Sequence, residues 1–164
     1  MILKNYMVIK ECILNATASG ASTMLTNYTD MSGTARSGFY GNYAPLGTAL
    51  KVVLGTGDTA PTATDYALDT DVTSSFSSVT LSAATRTIGV DDNGKPYIKH
   101  AHTISAVNSS GADITIKEFG IYYDEFHYQS GSYYCDVLLS RDVISPVTVA
   151  AGDSFTLPIE WIEY

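Results

Sequence analysis

Alternation of apolar and polar residues in the last third of the chain constrains the fold more than any other feature. From Ala112 the sequence reads ADITIKEFGIYYDE, and from Ser132 it reads SYYCDVLLSRDVISPVTVAAGDSFTLPIEWIEY. A period of two places alternate side chains on opposite faces of a β-strand, so that one face can be buried. The clearest inward row is Phe155, Leu157, Ile159 and Trp161. We predict that this C-terminal strand belongs to the core. Pro158 on its opposite face indicates an edge strand or a position without a ladder hydrogen bond.

Turn signals separate about eight short strands, spaced roughly ten residues apart, with almost no helix. This pattern predicts an all-β fold, an antiparallel β-sandwich of jelly-roll or immunoglobulin-like type. Asn93-Gly94 is the strongest hairpin signal and predicts a type I′ turn with Asp92 and Lys95 facing each other. Thr62 and Asp65 resemble a helix cap and predict one short helical turn over residues 63–68. We interpret the glycines of GTGDTAP (residues 55–61) as part of a turn.

The strand predicted over residues 114–123 changes phase along its length. Ile114 and Ile116 lie on one face, whereas Phe119, Ile121 and Tyr123 lie on the other. One extra residue near Lys117-Glu118, a β-bulge, would restore a common face. Burial of both faces is the alternative.

The N-terminal region has a different composition from the rest of the chain. Residues 1–15 fit a helical face or a strand, and we favour the strand. Residues 15–47 are rich in Ala, Ser, Thr, Gly, Asn and Tyr and show little periodicity. We predict an N-terminal strand and extended arm over residues 1–47, ordered against neighbouring subunits, and a β-sandwich domain over 48–164. Four aromatic side chains favour this arm over a disordered linker: Tyr28, Phe39, Tyr40 and Tyr43.

Charge and cysteine content restrict the class of partner. Charged residues make up only 16 % of the 164 residues, and the net charge is −8. A phosphate backbone or an anionic membrane needs clustered Lys and Arg, so we predict neither nucleic acid nor membrane as a partner. The N-terminal MILKNYMVIKECILN is interrupted by charges and predicts neither a signal peptide nor a membrane span. For Cys12 and Cys135 we favour two small buried thiols over a long-range disulfide.

No recognisable catalytic, cofactor-binding or metal-binding set emerges from the motifs. His100 and His102 share a strand face and could hold a metal with His127 or a carboxylate as a third ligand, although packed or interface histidines are the more common outcome. The aspartates near residues 69–71 and 91–92 lack calcium-loop spacing and fit turns. Phosphate-loop, dinucleotide and GxSxG patterns are absent from the sequence. We therefore predict a non-enzymatic protein without a cofactor.

Aromatic residues cluster around the predicted loop at 124–132. They could stack on sugar rings, or they could divide between the core and a subunit interface. We favour interface use, and we name Phe126 and Tyr128 as interface candidates beside the four aromatics of the arm. The cluster consists of Tyr122, Tyr123, Phe126, Tyr128, Tyr133 and Tyr134.

Three segments carry a resemblance to a known class of protein. VVLGTGDTAPTATDYALD, ITIKEFGIYY and LLSRDVISPVTVAAGDSFTLPIEW together resemble β-rich virion structural proteins of tailed bacteriophages, of the tail, fibre, collar or head-decoration type. The resemblance covers roughly residues 50–162 and consists of turns and strand patterns. It implies a virion component that forms an oligomer, and it carries no catalytic residues.

The resemblance and the residues together lead to one expectation about function. We expect an oligomeric subunit of the tail, the neck or collar, or the capsid surface, assembled in the host cytoplasm. Its partners would be copies of itself and other virion proteins. The alternatives are a carbohydrate- or receptor-binding module of a phage fibre, with a host-surface glycan as partner, and an unrecognised β-sandwich hydrolase.

Overall fold

The computed structural model describes residues 24–40, 50–127 and 134–163, and these residues are almost entirely β-strand. Their helical content is one 3-10 turn at Thr73–Ser75, so no described helix is long and apolar enough to span a membrane. The strands are β1 (Met24–Thr29), β2 (Ala35–Tyr40), β3 (Leu50–Gly55), β4 (Phe76–Leu81), β5 (Thr85–Val90), β6 (Pro96–Asn108), β7 (Ile114–His127), β8 (Tyr134–Val149) and β9 (Ser154–Glu163).

The sheets confirm the predicted fold class, an all-β protein of the antiparallel β-sandwich type. The registers of β1–β2, β3–β7, β4–β6, β5–β6 and β6–β9 are all antiparallel. The described chain divides into two compact units. The first contains the described residues up to Thr73 and Thr115–Thr148, and the second contains Ser74–Ile114 and the chain from Val149 onward.

The first unit contains a three-stranded sheet in the order β3–β7–β8. The β3–β7 register runs without a shift from Leu50 opposite Tyr123 to Gly55 opposite Glu118. The four consecutive residues 118–121 are all buried, so both faces of β7 are covered at this point. Burial of both faces therefore accounts for the phase change in the sequence, and the β3–β7 pairing contains no bulge.

A β-hairpin occupies part of the segment that the sequence predicts as an arm. β1 pairs with β2, and a tight turn at residues 30–34 joins them. The buried Asp30 holds this turn, because its Oδ1 accepts hydrogen bonds from the backbone N–H groups of Ser32 and Thr34, both at 2.9 Å. Side-chain capping of this kind gives a turn without any hydrophobic periodicity, which is why the sequence did not reveal it. The rest of residues 1–47 lies outside the described residues.

The second unit is built around β6, the central strand of a four-stranded sheet. β9 pairs along one side of β6, from Ile98 opposite Glu163 to Val107 opposite Ser154. β4 and β5 follow one another along the other side of β6, so residues 76–90 act as one interrupted edge strand. A register shift interrupts β4 at residues 77–80, where Ser78 has a positive φ of 54°. This combination is typical of a β-bulge.

The β5–β6 connection is a hairpin, as predicted, but the type I′ turn is wrong. That turn requires positive φ at both central residues, and only Gly94 of the pair has it, at 78°. The loop closes instead through Asp91, whose N–H donates to the Lys95 carbonyl at 2.9 Å. The Asp91 carboxylate accepts from the N–H groups of Asn93 and Lys95. Asp91, not Asp92, therefore lies opposite Lys95, because its side chain caps a longer loop.

The predicted C-terminal row is confirmed in the second unit. Phe155 and Ile159 are buried, Leu157 and Trp161 are half-buried, and the residues between them are exposed. On β6 the inward positions facing this row include Ile104 and Ala106. Pro158 lies on the opposite, exposed face, and within the described chain β9 pairs with β6 alone, which agrees with the predicted edge position.

Candidate functional site

A buried arginine on β8 is the centre of the most elaborate polar arrangement among the described residues of the first unit. The Arg141 side chain is 2 % exposed and the Glu118 side chain on β7 is fully buried. Arg141 Nε and Nη2 both lie 2.8 Å from Glu118 Oε2. Short charge-assisted contacts of this kind are among the strongest hydrogen bonds in proteins. They cross-link two neighbouring strands inside the unit.

Two aspartates from the loop of residues 56–72 complete the coordination of the guanidinium. Arg141 Nη1 lies 2.6 Å from Asp65 Oδ2, and Nη2 lies 2.8 Å from Asp69 Oδ2. Nη2 also donates to the Thr59 carbonyl at 3.2 Å. We refer to Arg141, Glu118, Asp65 and Asp69 as the Arg141 clamp. The clamp joins three segments that lie far apart in the sequence.

The local structure around Asp65 is a turn, so the helical turn predicted over residues 63–68 is wrong. The capping contacts themselves are present, because Thr62 N–H donates to Asp65 Oδ2 at 3.0 Å and the Thr62 hydroxyl donates to Oδ1 at 2.5 Å. Asp65 Oδ2 also contacts Arg141, which fixes the loop in this turn. Tertiary contacts therefore stabilise the cap without the helix that usually follows it.

Glu118 also organises the backbone of the loop. Its Oε1 accepts from the N–H groups of Gly57 at 3.0 Å and Thr70 at 3.1 Å. A Cβ atom at Gly55 or Gly57 would lie 2.5 Å from Glu118 Oε1. Both glycines are therefore required for the close approach of the carboxylate. The predicted turn at GTGDTAP is part of the cradle for Glu118.

Burial, hydrogen bonds and charge together shift the pKa values of three members of the clamp. Burial alone would raise the pKa of Asp65, but hydrogen bonds from Thr62 and Arg141 lower it below its ordinary value of 3.8. Hydrogen bonds from Thr59 lower the pKa of Asp69 against the opposing effect of burial, and Arg141 adds its attraction. Burial lowers the pKa of Arg141, but its carboxylate partners outweigh that effect and raise the pKa. The guanidinium is therefore charged at neutral pH.

These shifts predict how stability depends on acid. Because the folded-state pKa values of Asp65 and Asp69 lie below 3.8, their contribution to stability is complete above that value and is lost as the pH falls through the lowered values. Urea unfolding at pH 7, 5 and 3 should show the loss between the last two points. Asp65→Asn should flatten this step. An identical loss between pH 5 and pH 3 in the variant and the parent would contradict the assignment.

The chemistry of the clamp is that of a structural cross-link. All three guanidinium nitrogens contact carboxylates, and Glu118 accepts hydrogen bonds from loop N–H groups as well. Their combined effect is to fix the loop of residues 56–72 against β7 and β8. Among the described residues, no group of three or more His, Cys, Asp and Glu side chains could hold a metal ion.

The two histidines singled out by the sequence lie in the second unit and stack on tryptophan. The register places His100 opposite Trp161 and His102 opposite Ile159, so both imidazoles lie on the inward face of β6, as predicted. The Trp161 ring centroid lies 5.4 Å from that of His100 and 4.7 Å from that of His102. His102 Nδ1 lies 2.8 Å from the Ser82 carbonyl. Both histidines are therefore packed against Trp161. The His127 side chain lies outside the described residues.

An exposed apolar surface lies on β5 and β6 of the same sheet, next to the loop that joins these two strands. Ile88, Val90 and Ile98 are 81 %, 62 % and 39 % exposed, and we call them the β5–β6 apolar surface. Ile88 and Ile98 are directly opposite each other, and Val90 is opposite Pro96. Because side chains alternate along a strand, all of these lie on one face of the sheet. Exposed aliphatic side chains grouped in this way are a common feature of docking surfaces.

The residues predicted as interface contacts remain a prediction. Tyr28 lies on β1, Phe39 and Tyr40 lie on β2, and Phe126 lies on β7, and only their backbone is described. Tyr43, Tyr128 and Cys12 lie outside the described residues. The hairpin register brings Tyr28 opposite Arg36, and Phe39 opposite Leu25. Three of the arm aromatics therefore belong to one hairpin.

Sequence reasoning missed both the clamp and the β5–β6 apolar surface. Glu118 continues the inward positions of Ile114 and Ile116, and Arg141 continues those of Val137 and Leu139. A charge at an inward position needs a buried partner, so these two residues together carried the signal. For Ile88 and Val90, nothing in the sequence marks their face as uncovered.

Comparison with known proteins finds no matching family model, no matching curated protein and no matching solved structure.

Proposed function

We propose that this chain is a non-enzymatic structural protein of a tailed-bacteriophage virion, an oligomeric subunit that acts through contacts with other subunits. The observation that carries the proposal is the β5–β6 apolar surface. Three aliphatic side chains lie exposed together on one sheet face, with Ile88 81 % exposed. Such exposure favours burial against another protein in an assembly.

The Arg141 clamp supports a scaffold role. Each of the three segments that resemble phage virion proteins contributes to the clamp. The first supplies Asp65 and Asp69, the second supplies Glu118, and the third supplies Arg141. Four charged residues of these segments thus hold a loop on a sheet. A rigid sheet with a fixed loop is suited to repeated docking against neighbours, since little conformational entropy remains to be lost on assembly.

The direct test is the location of the protein in phage particles. Antibodies against the purified chain should label gradient-purified particles at a regular position, and the chain should be present in stoichiometric amounts in those particles. A major capsid protein from the same preparation is the matched control. The proposal fails if infected lysates contain the chain but purified particles do not.

The predicted arm gives a second expected result. Deleting residues 1–45 should leave a folded protein that associates more weakly, because the arm aromatics would be lost while the Arg141 clamp remains. Circular dichroism should report the fold and light scattering the molar mass. An unfolded product, or an unchanged oligomer, would count against the role of the arm. A glycan array with the parent protein tests the receptor-binding alternative, which requires glycan binding.

A further inference from the structure

We propose that β5 is a docking edge at which a second copy of this chain adds its own β5 in antiparallel orientation, about a two-fold axis. β5 pairs with β6 on one side, and no strand of the described chain pairs with its other side. The inference deepens the proposed function and rests on it, since it names one of the contacts through which the subunits would associate.

The backbone of β5 directs its free groups towards the open edge. In an antiparallel pair, hydrogen-bonded and non-hydrogen-bonded residue pairs alternate. Asp91 N–H donates to the Lys95 carbonyl, so Asp91 and Lys95 form a hydrogen-bonded pair and Val90 and Pro96 do not. Proline lacks an N–H, which agrees with this assignment. By alternation, the N–H and C=O groups of Arg86, Ile88 and Val90 point away from β6.

The side chains make β5 a better template for pairing than the opposite edge of the sheet. β5 reads TRTIGV, with neither proline nor lysine, and its Ile88 and Val90 are largely exposed. The opposite edge, β9, carries Pro158 and Glu160. Glu160 forms an ion pair with Lys99 of β6 at 3.2 Å. Proline and charges block edge pairing, whereas β5 carries only Arg86 as a charge.

The charges at the two ends of β5 specify an antiparallel copy as the partner. The exposed Arg86 lies near the start of the strand. The loop that follows, residues 91–95, carries Asp91, Asp92 and Lys95, a net charge of −1. In antiparallel self-pairing, each positive end meets the negative end of the second copy; in parallel pairing like charges would meet. The same arrangement places Ile88 beside its counterpart on the two-fold axis, so that the β5–β6 apolar surfaces of the two copies join on one face of the extended sheet.

The first experiment measures self-association of the full chain by sedimentation equilibrium. We expect the parent to form dimers or larger even-numbered species, and Ile88→Lys to raise the dimer dissociation constant at least tenfold. Ala151→Lys is the matched control, because it adds the same charge at an exposed turn far along the chain from β5. Circular dichroism should show that all three proteins are folded.

A charge swap makes the test specific to antiparallel geometry. Arg86→Asp and Asp92→Arg each place like charges at the ends of the paired strands, so each should weaken association several-fold. The double variant restores opposite charges and should recover most of the parent affinity. A merely structural effect of either substitution would not be rescued by the other.

The outcomes separate this inference from the proposed function. A monomeric parent at concentrations up to about 100 μM would overturn the docking edge, as would Ile88→Lys matching Ala151→Lys. Two weakened single variants without rescue would overturn the antiparallel assignment. None of these results changes whether the chain is present in purified particles, which is the test of the proposed function. If association is lost only when residues 1–45 are deleted, the arm carries it and the β5 edge does not.

Discussion

Replacing Arg141 with leucine is expected to lower the free energy of unfolding by about 3–5 kcal/mol. Leucine would leave the Glu118 carboxylate fully buried without its cation, and Asp65 would lose the 2.6 Å contact that fixes its loop. The cost of an unpaired buried charge is the main cause, because the Coulombic gain of the pair is itself largely offset by desolvation. Urea denaturation of the two proteins under identical conditions measures the difference.

The control for this substitution is a change at Lys117, the residue that precedes Glu118 on β7. Lys117 forms an ion pair with Asp58 at 3.0 Å, but both side chains are substantially exposed. Lys117→Ala should therefore cost only about 0–1 kcal/mol. If Arg141→Leu also falls in that range, the clamp does not stabilise the fold as described.

A second variant tests the physical cause. Glu118→Gln removes the buried negative charge and keeps an acceptor for the loop N–H groups. Arg141→Leu combined with Glu118→Gln should therefore cost less than the sum of the two single changes. Hydrogen exchange of the Gly57 and Thr70 amides, whose acceptor is Glu118, should report the release of the loop. Additive costs would show that the pairing is not the cause.

The sequence predicted those parts of the fold that depend on local patterns. The row from Phe155 to Trp161 is visible because a period of two reports burial directly. The hairpin after β5 is visible because Gly94 supplies positive φ, but its turn type depends on the Asp91 side chain bonding to nearby backbone. The helical turn near Asp65 failed because Arg141, 76 residues away, holds that aspartate. Local signals thus fail where a distant side chain competes.

The candidate sites depended on tertiary register, which one sequence does not specify. Glu118 and Arg141 stand on inward positions, yet only the pairing of β7 with β8 makes them neighbours. The β5 edge is likewise a property of topology: β9 takes one side of β6, so β4 and β5 must share the other.

Removing the C-terminal strand is expected to abolish cooperative folding of the second unit. A chain ending at Asp153 lacks β9, which pairs with β6 over ten residue pairs. It also lacks Phe155 and Ile159, and the loss of a buried Phe side chain alone costs about 3–5 kcal/mol. Typical domain stabilities are about 5–15 kcal/mol, so the loss of the whole strand should exceed what the unit can tolerate.

Graded substitutions distinguish the loss of packing from a general intolerance of change in β9. Phe155→Ala should lower the unfolding free energy by about 3–5 kcal/mol, whereas Thr156→Ala, on the exposed face one residue along, should change it by less than about 0.5 kcal/mol. Amide hydrogen exchange across Thr103–Val107 should rise in the truncated chain, because these residues lie opposite the missing strand. Retained protection there would mean that β6 does not need β9. Equal costs at positions 155 and 156 would mean that the inward row is not what stabilises the unit.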